Sequence, residues 1–317
     1  MKSNLNEKKF KLLAPAKINW FLYVTGVRND GYHNIASLFQ AISVYDTLEF
    51  QATANATVFS PLVLKSCLNI PAKDNLVTKA LNILAEHLQT SYKSDKKISG
   101  EITIELKKEI PSEAGLGGGS SDCASAFIGL NRLFNLGLKS DELLHLSAKA
   151  GSDVPFFIKG EIAMVTGRGE IVSPLITNAA VPLLLVKPPV SISTPWAYRR
   201  VDERLDSKLI DENRLLNITA LVNQFIKAIS KSDFETMGKL MRNDIEDAIS
   251  GDFLWIDDIK GQLKNAGARV SLLSGSGSTV FGAFDSEHKR NEAEEFLSKK
   301  YPDFWIKPAY TLTTTSG

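Results

Sequence analysis

Apolar and polar positions alternate from Glu101 to Lys107, with Ile102, Ile104 and Leu106 on one side and Thr103, Glu105 and Lys107 on the other, which predicts a half-buried strand. Beyond the glycine-rich stretch that follows, Cys123, Phe127, Leu130 and Phe134 recur at helical spacing until Asn135 and Gly137 stop the run. Upstream, Lys11 to Val24 reads as an apolar-rich strand, Arg28 to Gly31 as a polar turn, and the chain as far as Phe50 as further extended or mixed structure. Asp74 and Asn75 precede Leu76, Val77, Ala80, Leu81, Leu84 and Leu88, an amphipathic helix with a capping start. Ser140-Asp141-Glu142 opens another helix that reaches Ala150 and ends at Gly151.

A glycine-bearing turn, Gly167 to Gly169, leads into the second half. There Val181 to Val186 reads as a strand, Ile210 to Ile249 as two helices separated near Ser232-Asp233, and Ile256 to Asn265 as a further helix. Val270 to Leu273 and Val280 to Phe284 read as strands flanking a glycine-serine turn, followed by a helix from Glu287 to Lys299 and a last strand near Trp305. Strands followed by helices in each half, without regular β-α-β alternation, predict an α+β protein rather than a doubly wound parallel sheet. The expected division is residues 1–168 and 169–317.

The stretch Pro111, Ser112, Glu113, Ala114, Gly115, Leu116, Gly117, Gly118, Gly119, Ser120, Ser121 lies between a predicted strand and a predicted helix, where a polyphosphate would bind. Glycine lets backbone N–H groups approach an anion closely, and a helix start adds unpaired donors and the positive end of its dipole. A Walker loop is excluded because Ser120 follows Gly119 with no lysine between. A dinucleotide fingerprint is excluded because its last glycine would fall at Ser120. A glycine run by itself is equally well a turn or a close-packing device.

Composition narrows the classes. At 317 residues and 44% hydrophobic content, two moderate cores are expected. Lys and Arg total 37 against 36 Asp and Glu, so no broad basic surface for nucleic acid or anionic membrane is implied, and any anion site is local. Cys67 and Cys123 are the only cysteines, which argues against a disulfide framework, a zinc site or a thiol-redox motif and fits a reducing cytoplasm. Met1 to Lys11 is polar and lysine-dotted, unlike a secretory signal, and is expected to be a short frayed extension. Val181 to Val186, interrupted by Pro182, falls far short of the ~20 residues that span a bilayer. His87, His145 and His288 have no metal spacing; His33 alone has an unusual context, after Gly31-Tyr32.

Four segments together carry a resemblance that covers nearly the whole chain. They are Ala14-Pro15-Ala16-Lys17-Ile18-Asn19 with Gly31-Tyr32-His33, the loop from Pro111 to Ser121, Gly151 to Phe157, and Leu273 to Phe281. In this order the sequence resembles the GHMP kinases, small-molecule kinases named after galactokinase, homoserine kinase, mevalonate kinase and phosphomevalonate kinase. The resemblance implies a two-domain fold with the active site in the cleft between domains, ATP as phosphoryl donor, and Mg2+ accompanying it on protein ligands that the sequence does not identify. It further implies a cytidine-bearing small-molecule acceptor, 4-diphosphocytidyl-2-C-methyl-D-erythritol, phosphorylated on its 2-hydroxyl in non-mevalonate isoprenoid precursor synthesis. No nucleic-acid or membrane partner is expected.

The resemblance assigns Asp153 as general base and Lys17 as its electrostatic partner. Phosphoryl transfer makes the same demand, because a carboxylate can orient a weakly nucleophilic hydroxyl and take its proton while a lysine stabilises developing charge. Without the resemblance, Asp153 reads as a cap before Pro155 and Lys17 as a solvated strand residue. The loop from Pro111 to Ser121 is assigned to ATP. Asn75 is assigned to the region of the adenine, with a helix cap as the equal alternative. Ser274 to Ser278 is assigned to a second turn near the site, or a tight hairpin turn only. Tyr32 and His33 match a cytosine-binding pair, Tyr198 an aromatic ring across the base or a packing residue, and Asn19 and Thr194 contacts to the erythritol or diphosphate.

Two residues depart from the family pattern. Trp20 stands where a smaller aliphatic residue is usual, and Glu113 puts a carboxylate in the phosphate loop, where it repels phosphates unless it turns to solvent or shares the magnesium. The competing readings are a homoserine or mevalonate kinase of the same superfamily, against which Tyr32, His33 and Tyr198 count, and a non-catalytic ligand sensor, which would need no base such as Asp153.

Overall fold

The computed structural model describes residues 8–66, 71, 75–91, 100–204 and 217–314. Met1 to Glu7 of the expected N-terminal extension, Cys67, Asp74 and the beginning of the helical segment expected from Ile210 lie outside the described residues. In chain order the strands are β1 (Lys8–Val27), β2 (His33–Ala52), β3 (Leu62–Ser66), β4 (Ile102–Lys107), β5 (Ile162–Gly167), β6 (Ile171–Pro174), β7 (Pro182–Lys187), β8 (Val270–Leu273), β9 (Val280–Ala283) and β10 (Trp305–Tyr310). The helices are α1 (Leu76–Ser91), α2 (Gly118–Phe134), α3 (Ser140–Ala150), α4 (Val154–Lys159), α5 (Thr194–Arg204), α6 (Ile218–Ser230), α7 (Phe234–Leu240), α8 (Asp244–Ile249), α9 (Trp255–Asn265) and α10 (Glu287–Lys300).

Packing divides the chain into two compact units that are not continuous in sequence. One comprises residues 1–16, 44–111 and 117–159, the other 17–43, 112–116 and 160–317. This differs from a single boundary at residues 168 and 169, because β1 and β2 are each long enough to contribute to both units. A hydrophobicity pattern registers where an element lies along the chain, not where its two ends pack.

In the first unit, the end of β2 pairs antiparallel with β4 from Thr47↔Lys107 to Ala52↔Ile102, and β3 lies parallel to β4. The alternation expected at 101–107 is realised: Ile102, Ile104 and Leu106 are buried, and they pack with Leu48, Phe50, Val77, Leu84, Phe127 and Leu130 into one core. Gly129 lets helix α2 pass the Phe50 ring, since a Cβ there would lie 2.2 Å from Phe50 Cζ.

In the second unit, the start of β2 pairs antiparallel with β5 and β5 with β6, and a separate antiparallel sheet runs β10-β7-β9-β8. Residues 35–42 of β2 are buried on both faces, as an apolar run without alternation requires, whereas the later part of the strand alternates. Trp20 is accommodated rather than disruptive. Fully buried, it donates Nε1–H to Gln40 Oε1 at 2.6 Å and meets the rings of Phe225 and Phe281 at 5.4 and 5.5 Å.

Several elements differ from expectation. The segment expected as two helices contains a further break at Met241 to Asn243, which separates α7 from α8. Strands β3, β5 and β6 and the helix Thr194–Arg204 have no counterpart in the elements expected from the sequence.

Candidate active site

The first half of the glycine loop belongs to the second unit, and a turn from far along the chain holds it. Ser274 Oγ donates to Gly115 O at 3.0 Å, and Thr279 N–H donates to Ala114 O at 3.2 Å. Gly115 has φ 73°, and a Cβ on it would sit 1.9 Å from Ser274 O, so no other residue fits between the two backbones. The supporting turn is itself anchored. Buried Asn243 donates from Nδ2 to Leu273 O at 3.0 Å and to Gly275 O at 2.7 Å, while its Oδ1 accepts from Ile245 N–H at 2.9 Å and caps α8. Ser278 Oγ donates to Val190 O at 2.6 Å, and the hydroxyls of Thr194 and Ser276 lie 2.9 Å apart.

Lys17 lies on β1 against this loop, its N–H donating to Leu116 O at 2.9 Å. Its side chain is buried, with Nζ donating to Asn19 Oδ1 at 2.8 Å and standing 4.5 Å over the Phe39 ring. Asn19 in turn donates to Ser37 Oγ at 2.9 Å, and Ser37 Oγ to Phe21 O at 2.5 Å. Lys17 is therefore not the solvated strand residue that its local sequence allows. An ammonium held in this relay is fixed in position, as stabilisation of a developing charge requires.

The second half of the loop belongs to the first unit. Gly117, with φ 70°, is the N-cap of α2, whose first-turn N–H groups no helical carbonyl can satisfy. Ser121 Oγ is buried within this turn and has no hydrogen-bond partner among the described residues, an arrangement that invites a polar ligand atom. Gly118 is small for a different reason: a Cβ there would meet Ile110 Cγ2 at 2.8 Å and Lys108 Nζ at 3.3 Å. Lys108 is pinned under the helix start by Asp46 and by Asp122 Oδ2, the latter at 2.7 Å. Asp46 Oδ1 also accepts from the N–H groups of Glu109 and Ile110 at 2.7 and 2.9 Å. Burial, opposed by the charge of Lys108 and reinforced by that of Asp46, pushes the Asp122 carboxyl up to about 7. Burial also raises the Cys123 thiol to about 12, which leaves it unreactive near neutral pH.

Asn75 acts as a helix cap here, its Oδ1 accepting from Val77 N–H at 2.9 Å. Asp153, half-buried, immediately precedes the short helix α4, whose Val154 and Phe156 are buried beneath it.

Among the residues expected at the acceptor, His33 and Tyr198 meet. Their rings stack with centroids 4.7 Å apart and planes at 27°, and His33 Nε2 lies 2.6 Å from Asp202 Oδ1. Tyr32 is exposed, its ring under the Arg168 guanidinium at 5.0 Å from the centroid. Asp202 and Asn243 were missed by sequence reading. Asn243-Asp244-Ile245-Glu246 does carry a helix-capping pattern, but nothing local signals its grip on the turn.

Glu113 is exposed, with φ 51°. Its charge acts on Lys187, whose ammonium burial drives below the ordinary lysine value and the Glu113 carboxylate partly restores. Among the described residues no group of three or more His, Cys, Asp or Glu side chains is placed to hold a metal ion. Magnesium held by nucleotide phosphates and one or two protein groups would need no such cluster.

Comparison with known proteins identifies the family. Models of the GHMP kinases N-terminal domain and the GHMP kinases C-terminal region match residues 75–161 and 225–303. A 4-diphosphocytidyl-2-C-methyl-D-erythritol kinase of Thermodesulfovibrio yellowstonii is 40% identical over 94% of this chain and 96% of its own. One of a Synechococcus species is 35% identical over 93% and 92%. A crystal structure of 4-(cytidine 5'-diphospho)-2C-methyl-D-erythritol kinase superposes with TM-score 0.75 at 28% identity, covering 96% of this chain and all 100% of the other. The L. major mevalonate kinase in complex with R-mevalonate shares the fold, with TM-score 0.73 at 19% identity over 99% of each chain. With its two α+β units, its interlocked glycine loop and this end-to-end likeness, the chain belongs to the GHMP kinases, in the 4-diphosphocytidyl-2-C-methyl-D-erythritol kinase family.

Proposed function

We propose that this chain transfers the γ-phosphoryl group of ATP to the 2-hydroxyl of 4-diphosphocytidyl-2-C-methyl-D-erythritol, giving the 2-phosphate and ADP in isoprenoid precursor synthesis. The observation that carries this reading is the end-to-end similarity to kinases named for that acceptor. The likeness to mevalonate kinase extends to the fold alone, and a sensor would need no base. No described helix is long and apolar enough to cross a membrane. On this reading the enzyme works in the cytoplasm, on a small-molecule acceptor with neither nucleic acid nor membrane as partner.

In the reaction, Asp153 orients the 2-hydroxyl and takes its proton as the oxygen–phosphorus bond forms and the bond to the leaving ADP oxygen breaks. Lys17, held by Asn19, stabilises the charge that develops on the transferring group. The N–H groups from Gly115 to Ser120 and the Ser121 hydroxyl take up the nucleotide phosphates. Magnesium, arriving with ATP, supplies charge neutralisation on the phosphates. Tyr32, His33 and Tyr198 take the cytosine, and Asn19 and Thr194 the polar remainder of the acceptor. Asn75, which caps α1 through Oδ1, matches the family position near the adenine.

The test is ADP release measured across a panel of acceptors. The cytidine diphosphate form of methylerythritol should give a kcat/KM far above methylerythritol 4-phosphate, homoserine or mevalonate. Equal use of an acceptor without the base would overturn the substrate assignment.

A further inference from the structure

Tyr198 and Asp202 stand one helical turn apart on α5 and close on the same imidazole, one on its face and the other on its edge. We infer that Asp202 is a positioning residue that holds the Nε2 proton of His33, leaving Nδ1 as an acceptor, so that the ring selects an exocyclic amino group and hence cytosine over uracil. The inference rests on the reading of the acceptor as cytidine-bearing.

The steps follow from donor and acceptor capacity. An ionised carboxylate only accepts hydrogen bonds, so the ring nitrogen 2.6 Å from Asp202 Oδ1 carries a hydrogen. In a neutral imidazole the other nitrogen then keeps its lone pair. Cytosine presents an amino group, a donor, where uracil presents a carbonyl, an acceptor. A lone pair accepts from the first and opposes the second.

Ring rotation would exchange the two nitrogens, but the His33 side chain is only 8% exposed and lies against Tyr198. Two of the three arginines of the same helix are held elsewhere. Arg200 and Arg204 are both engaged by Asp252, at 2.9 and 3.0 Å. The histidine is therefore oriented by a carboxylate that itself need not touch the substrate.

Two measurements test this on the full-length protein. Long-range 15N–1H correlation of the imidazoles, with His33 assigned through His33→Gln, should show the Nε2–H tautomer in the wild type and a mixed signature in Asp202→Ala. In parallel, the ratio of kcat/KM for the cytidine acceptor to that for its uridine counterpart should fall about tenfold in Asp202→Ala, carried by the acceptor KM. The KM for ATP should stay unchanged, which shows that the variant is folded, and Asp202→Glu should recover part of the ratio. Retention of the wild-type tautomer signature in Asp202→Ala, or an unmoved ratio, overturns this inference alone. Failure of the parent reading is distinguishable, because the wild type would then use an acceptor without a base equally well, and both would fall together.

Discussion

The turn from Ser112 to Ser121 runs into a helix of 17 residues, whereas the turn from Ser274 to Thr279 joins two four-residue strands. Both are rich in glycine and serine, and both contain two glycines with positive φ. They differ in where their hydrogen bonds go. The backbone of the second turn is tied into the protein: Asn243 takes two of its region's carbonyls, Ser274 N–H donates to Thr279 O at 2.8 Å, and Ser278 reaches Val190, while Thr279 Oγ1 is buried with no hydrogen-bond partner among the described residues. The first ends in the open N–H groups of a helix start and a buried serine hydroxyl without a partner among the described residues. A turn whose carbonyls are taken up by the protein supports, and the open N–H groups of a helix start are available for a ligand.

The sharpest way to break this comparison is at the contact between the turns. Gly115→Ala should cost at least about 3 kcal/mol, from the left-handed φ and a Cβ that overlaps Ser274 O. Gly119→Ala, whose Cβ would meet only Leu76 Cδ1 at 3.5 Å, should change stability by less than about 1 kcal/mol. Denaturant unfolding of both variants checks this, and equal losses would deny that the two glycines have different reasons.

Next in size is Asn243→Ala. It strips two buried carbonyls and a helix cap of their partner, and should cost about 3 kcal/mol with an unchanged dependence on denaturant. A loss under about 1 kcal/mol would mean that the second turn holds itself.

How far these turns were legible in the sequence depends on the range of the interaction involved. Both glycine runs, the alternation at Ile102, Ile104 and Leu106, and the helical spacing of Cys123 to Phe134 are local and were readable. Asp202 and Asn243 act on residues 169 and 30 or more positions away, and no local pattern announces that. Helix α5 was missed although Thr194-Pro195 suits a helix start and Ala197 and Val201 share its buried face. Its mostly polar composition hid the periodicity. Strand β5 was missed because Ile162 to Val165 is buried on both faces and shows no alternation. Gly118 was readable as a phosphate-loop glycine but not as the one that makes room for Ile110 and Lys108.

The helix that starts from the first turn offers a test through pH. Burial raises the folded-state Asp122 pKa to about 7, well above the ordinary aspartate range. The protonated carboxyl is therefore favoured in the folded state, and its stabilising contribution is complete below about pH 4 and lost as pH rises through about 7. The stability of Asp122→Asn relative to the wild type should accordingly climb across that window and level off above it. Chemical unfolding at intervals between pH 4 and 8 reads the difference curve. A flat curve would remove the burial argument.

The smallest expected effect is at Glu113. Its left-handed φ of 51° is relieved by glycine, so Glu113→Gly should gain about 0.5 kcal/mol. Because the carboxylate is exposed and within electrostatic reach of Lys187, the affinity for ATP should stay within about twofold. A much larger gain in ATP affinity, read by calorimetry, would show that Glu113 repels the phosphates after all.

The most direct measurement is the turnover of Asp153→Asn with saturating ATP and 4-diphosphocytidyl-2-C-methyl-D-erythritol, alongside calorimetric binding of each. The amide can hold the acceptor hydroxyl but cannot take its proton, so kcat should fall by about 10²- to 10⁴-fold while both affinities persist. A folded Asp153→Asn protein with near-normal kcat would contradict the account of this chain as a kinase that uses Asp153 as its general base.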